Sequence, residues 1–213
     1  MSKSAKRDVK RVVKAKVVYG EDDEETQSAA ALIQSSTAER AFDGTFAPGR
    51  RVALTKYDGR DLIHVREYVR DEEREYPSKV GACFTPARLR ALMCKIEEID
   101  EQLRQQNANS AYMVDQGEVT YKTHLGAGIY ASVNSRFNGV DLRRFWIPPG
   151  QLMTFPTKNG IYLPSSQWRA LKLKLEELIH AHPEIVASEG CFHQNQMEAL
   201  DCRECMPFGF LCV

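Results

Sequence analysis

The sequence predicts an α+β protein made of two tandem modules, each with an antiparallel β-sheet followed by one amphipathic α-helix. The same order of elements, alternating strands and then one apolar helical stripe, occurs in residues 50–104 and again in residues 128–182. With 213 residues and 43% hydrophobic content, the chain can bury one medium core or two small ones. Its 27% of charged residues is typical of a soluble protein.

In the first module, alternating apolar residues lie on both sides of Asp58-Gly59. An Asp-Gly pair between alternating segments is typical of a β-hairpin turn, because both positions tolerate positive φ. Thr85 and Pro86 then suit an N-cap and a first helical position. The helix predicted over residues 86–104 carries apolar residues at spacings of three and four, namely Leu89, Leu92, Met93, Ile96, Ile99 and Leu103.

The second module repeats this order. Extended segments are predicted at residues 129–133, 140–147 and 152–155, and a further extended run at 156–163 precedes a helix over 165–181. The apolar stripe of that helix is Trp168, Leu171, Leu175, Leu178 and Ile179. This repetition predicts an internal duplication.

The two modules can be aligned segment by segment. Residues 66–68 correspond to residues 143–145, and residues 79–84 correspond to residues 158–163. Residues 105–127, which begin with a stretch rich in Gln, Asn and Ser, are predicted to be the linker. Because an apolar stripe on a short module needs cover, the two modules are expected to pack together with their helices in contact.

Residues 1–49 are predicted to form a mobile tail, because they show neither helical nor strand periodicity. Residues 3–16 carry seven basic residues and one acid, and residues 21–25 are all acidic. The basic block fits a nuclear address or a nucleic-acid contact, and equally a solubilising arm. The charged start of the chain and the short apolar runs predict a protein that is neither secreted nor membrane-bound.

The strands of the second module combine aromatic and basic residues. A binder of unpaired DNA needs flat side chains that stack on bases and Lys or Arg side chains that contact phosphates, and it needs no catalytic group. Residues 119–182 contain eight basic and three acidic residues, whereas residues 51–104 contain eleven of each. The second module is therefore expected to carry most of the affinity for DNA.

Both modules resemble the positive cofactor four family of transcriptional coactivators. The residues that carry the resemblance are Tyr57-Asp58-Gly59, Ile63 to Tyr68 and Lys79 to Phe84 in the first module, and Arg143 to Trp146, Pro156 to Leu163 and Gln167-Trp168 in the second. The resemblance implies a curved antiparallel sheet followed by one helix, two modules paired helix against helix, and a basic, aromatic channel for single-stranded DNA. Within one chain the pair would be an intrachain pseudo-dimer, so a monomer is expected, with a higher assembly of such monomers as the alternative.

The resemblance also implies positions that contact DNA, and the interleaving of basic and aromatic residues adds Arg136. The full set is Arg136, Phe137, Arg143, Trp146 and Lys158 in the second module, and Tyr57, Arg60, Arg66 and Lys79 in the first. Phe137 is assigned from its Phe-x-Gly context, whereas an ungapped alignment selects Asn134. Val69 stands where the family has a stacking tryptophan, which weakens the expectation for the first module.

Successive side chains of a strand face opposite sides, so some aromatic residues belong to the core. Trp168, Tyr68 and Phe145 are expected there. Trp146 is expected on the Arg143 side of the sheet or at the end of its strand. Arg143 and its counterpart in the first module have an alternative role, which is to form ion pairs with acids across the sheet.

Residues 183–213 form a tail rich in cysteine and histidine. Two close pairs of soft ligands, Cys191 with His193 and Cys202 with Cys205, can close a tetrahedral structural zinc site. Reduced, unligated thiols are the alternative, and no other cofactor is indicated. The cysteines show no evenly spread disulfide framework, which favours a reducing compartment.

These features predict a nuclear protein, not an enzyme, that binds single-stranded or unwound DNA as a transcriptional coactivator or single-strand-binding protein. The transcription machinery is a further expected partner. One alternative is a scaffold of that machinery in which the modules have lost DNA binding. The other is a zinc-dependent enzyme centred on the tail, which is disfavoured because no acid or base residue accompanies the zinc ligands.

Overall fold

The computed structural model describes residues 39–71, 74–109, 119–134, 137–146, 148 and 154–187 of the chain. The strands are β1 (Glu39–Ala47), β2 (Arg50–Tyr57), β3 (Arg60–Asp71), β4 (Arg74–Phe84), β5 (Val119–Gly126), β6 (Ile129–Asn134), β7 (Phe137–Trp146) and β8 (Phe155–Pro164). The helices are α1 (Pro86–Asn109) and α2 (Ser165–Ala181), and a 3₁₀ turn (Pro183–Ala187) follows α2. No helix in the described part of the chain is long and apolar enough to cross a membrane.

The strands form two four-stranded antiparallel sheets, and one helix follows each sheet. We call β1-β2-β3-β4 sheet one and β5-β6-β7-β8 sheet two. Asp58 and Gly59 have φ values of 48° and 71°, and positive φ at both positions is what a type I′ hairpin turn requires. Ala127 and Gly128, with φ values of 44° and 73°, join β5 to β6 in the same way. The α+β class, the order of the elements and the Asp-Gly hairpin are confirmed.

Strands β1 and β5 lie where the sequence analysis placed a tail and a linker. In β1, Phe42 and Phe46 pack against the core on either side of a glycine, whose missing side chain interrupts the apolar alternation. In β5, Tyr121 and Leu125 contact the core. Edge strands carry few apolar residues of their own, because a neighbouring strand supplies much of their stabilisation. Helix α1 also continues past its predicted end, to Asn109.

Each helix contacts the sheet of the other module. Helix α1 packs mainly on β5, β6 and β7, and α2 lies across β1 and β2 as well as β7 and β8. The buried side chains of both modules form one continuous core, and Trp168 is fully buried within it, as predicted. The helices meet at Asp100, which accepts hydrogen bonds from Trp168 Nε1 at 2.6 Å and from Lys172 Nζ. Strands of the other module thus cover the apolar stripes, where the sequence analysis expected the other helix.

One arginine links the modules at the edge of this core. Arg50 Nη1 donates to the carbonyl oxygen of Tyr162 at 2.7 Å and to Gln167 Oε1 at 2.5 Å. Arg50 Nη2 also lies 3.4 Å from Glu67 Oε2. The start of β2 is therefore hydrogen-bonded to β8 and α2.

The aligned segments occupy equivalent places in the two sheets. Arg66 pairs with Gly81, and Arg143 pairs with Gly160, across neighbouring strands. A Cβ atom on either glycine would approach the arginine side chain to 2.9 or 2.8 Å, so each arginine needs a glycine beneath it. Each arginine then donates from Nη1 to a backbone carbonyl shortly before its glycine. The acceptors are Ser78 O, at 2.6 Å, and Thr157 O, at 2.8 Å.

Candidate nucleic-acid interface

The side of sheet two that faces away from the core carries basic and aromatic side chains. Ala131 and Leu142 pair across β6 and β7 and are buried in the core. The neighbouring residues Tyr130 and Arg143 also pair, and alternation along the strands places them on the opposite side. We call this side the outer face of sheet two and define it by Lys122, His124, Tyr130, Asp141, Arg143 and Phe145.

Three rings and a lysine are in contact on the outer face of sheet two. The ring of Tyr130 lies 4.9 Å from that of His124 and 5.1 Å from that of Phe145, measured between centroids. Lys122 Nζ lies 4.2 Å from the Tyr130 centroid and 3.5 Å from the Phe145 centroid, within the range of cation–π attraction. The same ammonium donates to Thr154 Oγ1 at 2.9 Å. Positive charge therefore lies directly on two aromatic faces.

Burial and neighbouring cations shift the ionisation of this cluster. Burial lowers the pKa of His124, and the positive charges of Arg88 and Lys122 lower it further. Burial also lowers the pKa of the Lys122 ammonium and raises the pKa of the Tyr130 phenol. His124 is thus an uncharged ring at neutral pH, which removes its repulsion with Lys122.

Arg143 is held within the sheet by an acid. Its Nε and Nη2 donate to the two carboxylate oxygens of Asp141 at 2.8 and 3.1 Å, and its Nη1 donates to Thr157 O. The sequence analysis gave an ion pair with an acid across the sheet as the alternative to a DNA contact; the acid that Arg143 meets is instead two positions earlier on its own strand. A guanidinium with a bidentate carboxylate partner is fixed in orientation, and its charge is largely neutralised.

The two aromatic residues at the end of β7 lie on opposite sides of the strand. Phe145 shares the side of Arg143, because positions two apart on a strand face the same way, and its ring contacts Tyr130. The expectation that Phe145 belongs to the core is therefore wrong. Trp146 is half-buried, pairs with Phe155 and is the last residue of β7. Of the two places expected for Trp146, the structure therefore shows the strand end and not the Arg143 side of the sheet.

Lys158 and Lys79 occupy the same irregular step in equivalent strands. In β8, Thr157 Oγ1 accepts a hydrogen bond from Asn159 N at 3.2 Å. In β4, Ser78 Oγ accepts one from Val80 N at 3.0 Å. The lysine in the middle of each step is exposed. Both side chains are therefore accessible to a ligand, and their contact with DNA stays a prediction.

The corresponding side of sheet one is neutralised by acids. Arg51 stands in sheet one where Tyr130 stands in sheet two, opposite the aligned arginine. Arg51 forms ion pairs with Asp43, at 3.4 Å, and with Glu75. Its guanidinium carbon lies 5.1 Å from the centroid of the Tyr68 ring, which is buried, as predicted. The half-buried aromatic cluster of sheet two thus has no equivalent among the described residues here.

Arg66 is buried, with 1% of its surface exposed. Its side chain crosses Gly81 to reach Ser78 O, and burial lowers the pKa of its guanidinium. The prediction that Arg66 contacts DNA is therefore wrong for this conformation, because the side chain is used inside the sheet.

The first module is also the part of the chain that a known family matches. Residues 48–94 match the family model of transcriptional coactivator p15 (PC4). The match covers β2, β3, β4 and the first part of α1. No curated protein and no solved structure gives a significant match to the chain. The resemblance stated from the sequence motifs is confirmed for this segment, and the resemblance of the second module to PC4 stays a prediction.

The remaining predicted positions divide between the PC4-like segment and parts of the chain without a structural description. Tyr57 and Arg60 are exposed and pair with each other at the Asp58-Gly59 turn. Outside the described residues lie Arg136, the side chain of Phe137, and the predicted zinc ligands Cys191, His193, Cys202 and Cys205. Within the described ranges, no group of three or more His, Cys, Asp or Glu residues is placed to hold a metal ion.

Lys122 and His124 were missed as site residues because they lie in the predicted linker. They alternate with Tyr121, Thr123 and Leu125, and this period of two is typical of a half-buried strand. Such a strand would have placed both residues on the side opposite the core. The signal was present, but the glycines that follow it favoured a turn.

Proposed function

We propose that the protein binds single-stranded or unwound DNA with little dependence on base sequence. The observation that carries the proposal is the cluster of Lys122, Tyr130 and Phe145, which combines an exposed lysine with two half-buried rings. On the outer face of sheet two the carboxylate is Asp141, and it is bonded to Arg143. The cluster therefore keeps the charge that a phosphate backbone needs.

Unpaired DNA suits this surface better than duplex DNA does. Bases of an unpaired strand expose their faces, on which Tyr130 and Phe145 of the outer face can stack, and Lys122 and Lys158 can contact phosphates. Trp146, at the strand end and on the other side of β7, offers a further ring to a strand that runs past this end. These interactions read shape and charge rather than base edges, so little sequence preference is expected. Binding breaks no covalent bond, so the proposal requires no enzymatic activity.

The match of residues 48–94 to PC4 supports a role as a transcriptional coactivator. Under this proposal the protein acts in the nucleus on melted DNA, and the transcription machinery is a second partner. A role as a general single-strand-binding protein would use the same surface. The two roles differ in the partner proteins and not in the chemistry of DNA contact.

The test is the binding of labelled single-stranded, bubble and duplex DNA at two salt concentrations. Single-stranded and bubble DNA should bind more tightly than duplex DNA, and affinity should fall as salt rises, because phosphate contacts release counterions. Equal binding to duplex DNA, or no binding to any form by the folded protein, would overturn the proposal.

We further propose that one chain supplies both modules of a PC4-like pair, as an intrachain pseudo-dimer. The packing of α1 on sheet two, the contact of α2 with sheet one and the Arg50 hydrogen bonds support this. Light scattering should give the mass of one chain, about 24.2 kDa. An obligate dimer would show that the partner module comes from a second chain.

A second candidate function is a protein scaffold that has lost DNA binding. The neutralised outer side of sheet one, where Arg51 is bonded to Asp43 and Glu75, favours it. The same DNA-binding experiment separates the two functions, because a folded scaffold would bind none of the three DNA forms.

For the C-terminal tail we propose a structural zinc site formed by Cys191, His193, Cys202 and Cys205. Four protein ligands leave no place for a reacting water, so the site would hold the tail rather than catalyse a reaction. Metal analysis should find one zinc ion per chain, and Cys202→Ser should lower that stoichiometry. A chelator should loosen the residues after Pro183 and leave both sheets folded. Protein without bound zinc would show that the thiols are unligated.

A further inference from the structure

Near the end of its long hairpin, each module has an apolar pair across two strands, and at least one member of each pair is exposed. In sheet two Trp146 of β7 faces Phe155 of β8, and in sheet one Val69 of β3 faces Tyr76 of β4. Phe155 is 39% exposed, Tyr76 41% and Val69 53%. The pairs are equivalent, because in both sheets the preceding cross-strand pair joins an aromatic residue to a proline.

Both modules have a ring on the later strand of the pair, and sheet two has a second ring on the earlier strand. Sheet two has rings on both strands, Trp146 and Phe155, whereas sheet one has its ring only on β4, as Tyr76. Val69 had suggested that sheet one lost its aromatic contact at this place. The structure shows that Tyr76, directly across from Val69, presents a ring to solvent at the same end of the sheet.

The spacing of such a pair suits a stacked nucleic acid. Directly opposed residues of antiparallel strands have Cβ atoms about 4.5–5.5 Å apart and point to the same side. A DNA strand repeats about every 3.4 Å when stacked and lengthens readily when unpaired. Two neighbouring bases can therefore each meet one member of the pair.

Positive charge lies next to both pairs. Lys122 donates to Thr154, the residue before Phe155. Arg74, two positions before Tyr76 on β4, is exposed. A strand whose bases reached these rings would thus pass its phosphates beside a cation, which is the combination that binding to unpaired DNA requires.

We propose that Phe155 and Tyr76 stack on bases of single-stranded DNA, so that each module keeps an aromatic subsite at its strand end. In sheet two Phe155 extends the surface of Trp146, and in sheet one Tyr76 replaces the ring that Val69 lacks. The inference rests on the proposed function and adds two contact residues and a second subsite to it.

The test compares Phe155→Ala and Tyr76→Ala with two matched exposed positions. Leu173→Ala removes a side chain that is 60% exposed on α2, and Val80→Ala removes one that is 39% exposed on the strand of Tyr76. Each aromatic variant should weaken binding of single-stranded DNA by about tenfold, as expected for the loss of one stacked base. The controls should change it less than twofold. Phe155→Tyr, which keeps a ring, should bind single-stranded DNA as tightly as the wild type. Phe155→Leu, which keeps only apolar bulk, should bind as weakly as Phe155→Ala.

Tryptophan emission gives a readout of where the strand lies. The chain has two tryptophans, and Trp168 is fully buried and bonded to Asp100. Quenching by single-stranded DNA therefore reports on Trp146, beside Phe155. If the wild-type protein binds no DNA, the proposed function fails. If it binds without quenching, or if the aromatic variants bind like their controls, the function stands and this inference is wrong.

Discussion

The outer sides of the two sheets share a backbone and differ in their chemistry. In both, an arginine crosses a cross-strand glycine and donates to a nearby carbonyl, with Arg66 over Gly81 and Arg143 over Gly160. Around this shared frame, sheet two has a lysine on two rings, while sheet one has an arginine between two acids. The contacts that fix the strands are thus the same, and the surface around them is free to differ in charge and aromatic content.

The two arginines also differ in their surroundings. Arg143 meets the carboxylate of Asp141, whereas the equivalent neighbour of Arg66 is His64. Arg66 is accordingly the more buried of the two, and burial lowers its pKa. In both sheets the residue that a motif would assign to DNA serves the sheet itself. The proposed difference in DNA binding between the modules therefore rests on the residues beside the arginines.

The largest expected difference between the modules concerns the strand-end residues. Trp146→Ala should weaken binding of single-stranded DNA by about 1–3 kcal/mol, because one stacked base loses its partner. Lys158→Ala should weaken it less and should lower the salt dependence. Val69→Ala and Lys79→Ala should have small effects, because position 69 carries no ring and the outer side of sheet one is neutralised where Arg51 meets Asp43 and Glu75. Titrations of labelled single-stranded DNA measure all four.

Equal losses from the two pairs of variants would show that both modules bind DNA to the same extent. The dominance of sheet two would then be wrong, although DNA binding itself would stand. Circular dichroism of each variant provides the control for folding, which matters most for the half-buried Trp146.

A smaller effect should follow from exchanging charge between the two outer sides. Lys122→Asp should weaken binding and reduce the slope of log affinity against log salt by about one, the change expected for one lost phosphate contact. Asp43→Lys should strengthen binding severalfold, because it removes an acid that neutralises Arg51. Lys95→Asp, on α1 and bonded to Glu98, changes the net charge as Lys122→Asp does and is the matched control. If Lys95→Asp weakens binding as much, net charge and not the outer face determines affinity.

The architecture could be predicted because alternation, the Asp-Gly turn and two helical stripes all indicate it. Strand β1 could not be predicted from its own residues, since a glycine interrupts its apolar alternation. Strand β5 does carry a period of two, but the glycines after it favoured a turn. The crossing of each helix to the other sheet was also beyond the sequence. A stripe shows that a helix needs cover but not which surface provides it.

The candidate site could be predicted by residue type better than by position. Lys158, Lys79, Tyr57 and Arg60 are exposed as expected. Arg66 is not, because a glycine across the strand gives its side chain a place inside the sheet, and such a pairing is visible only once the register is known. Lys122 belongs to the site although its segment was taken as linker. A surface is formed by neighbouring strands, so its members need not share a motif.

The smallest expected effect distinguishes the modules by pH. His124 lies on the outer face of sheet two, and the equivalent residue of sheet one is Thr45, since each pairs with the residue opposite the aligned arginine. An unfolded histidine titrates near pH 6.5, and burial together with Arg88 and Lys122 lowers the pKa of His124 in the fold. As the pH falls below about 6.5, the unfolded chain binds more protons than the folded one, so the free energy of unfolding falls until the pH passes the folded pKa. One proton gives a slope of at most about 1.4 kcal/mol per pH unit, and solvent screening around this partly exposed ring makes the slope smaller.

His124→Thr replaces the histidine by the residue type of Thr45, its equivalent in sheet one. This variant should lose the part of the pH dependence of the free energy of unfolding that His124 contributes. Urea unfolding of both proteins between pH 5 and 7.5 measures it as a difference, which cancels the other histidines. Parallel stability curves for the two proteins would show that His124 titrates alike in the folded and unfolded states.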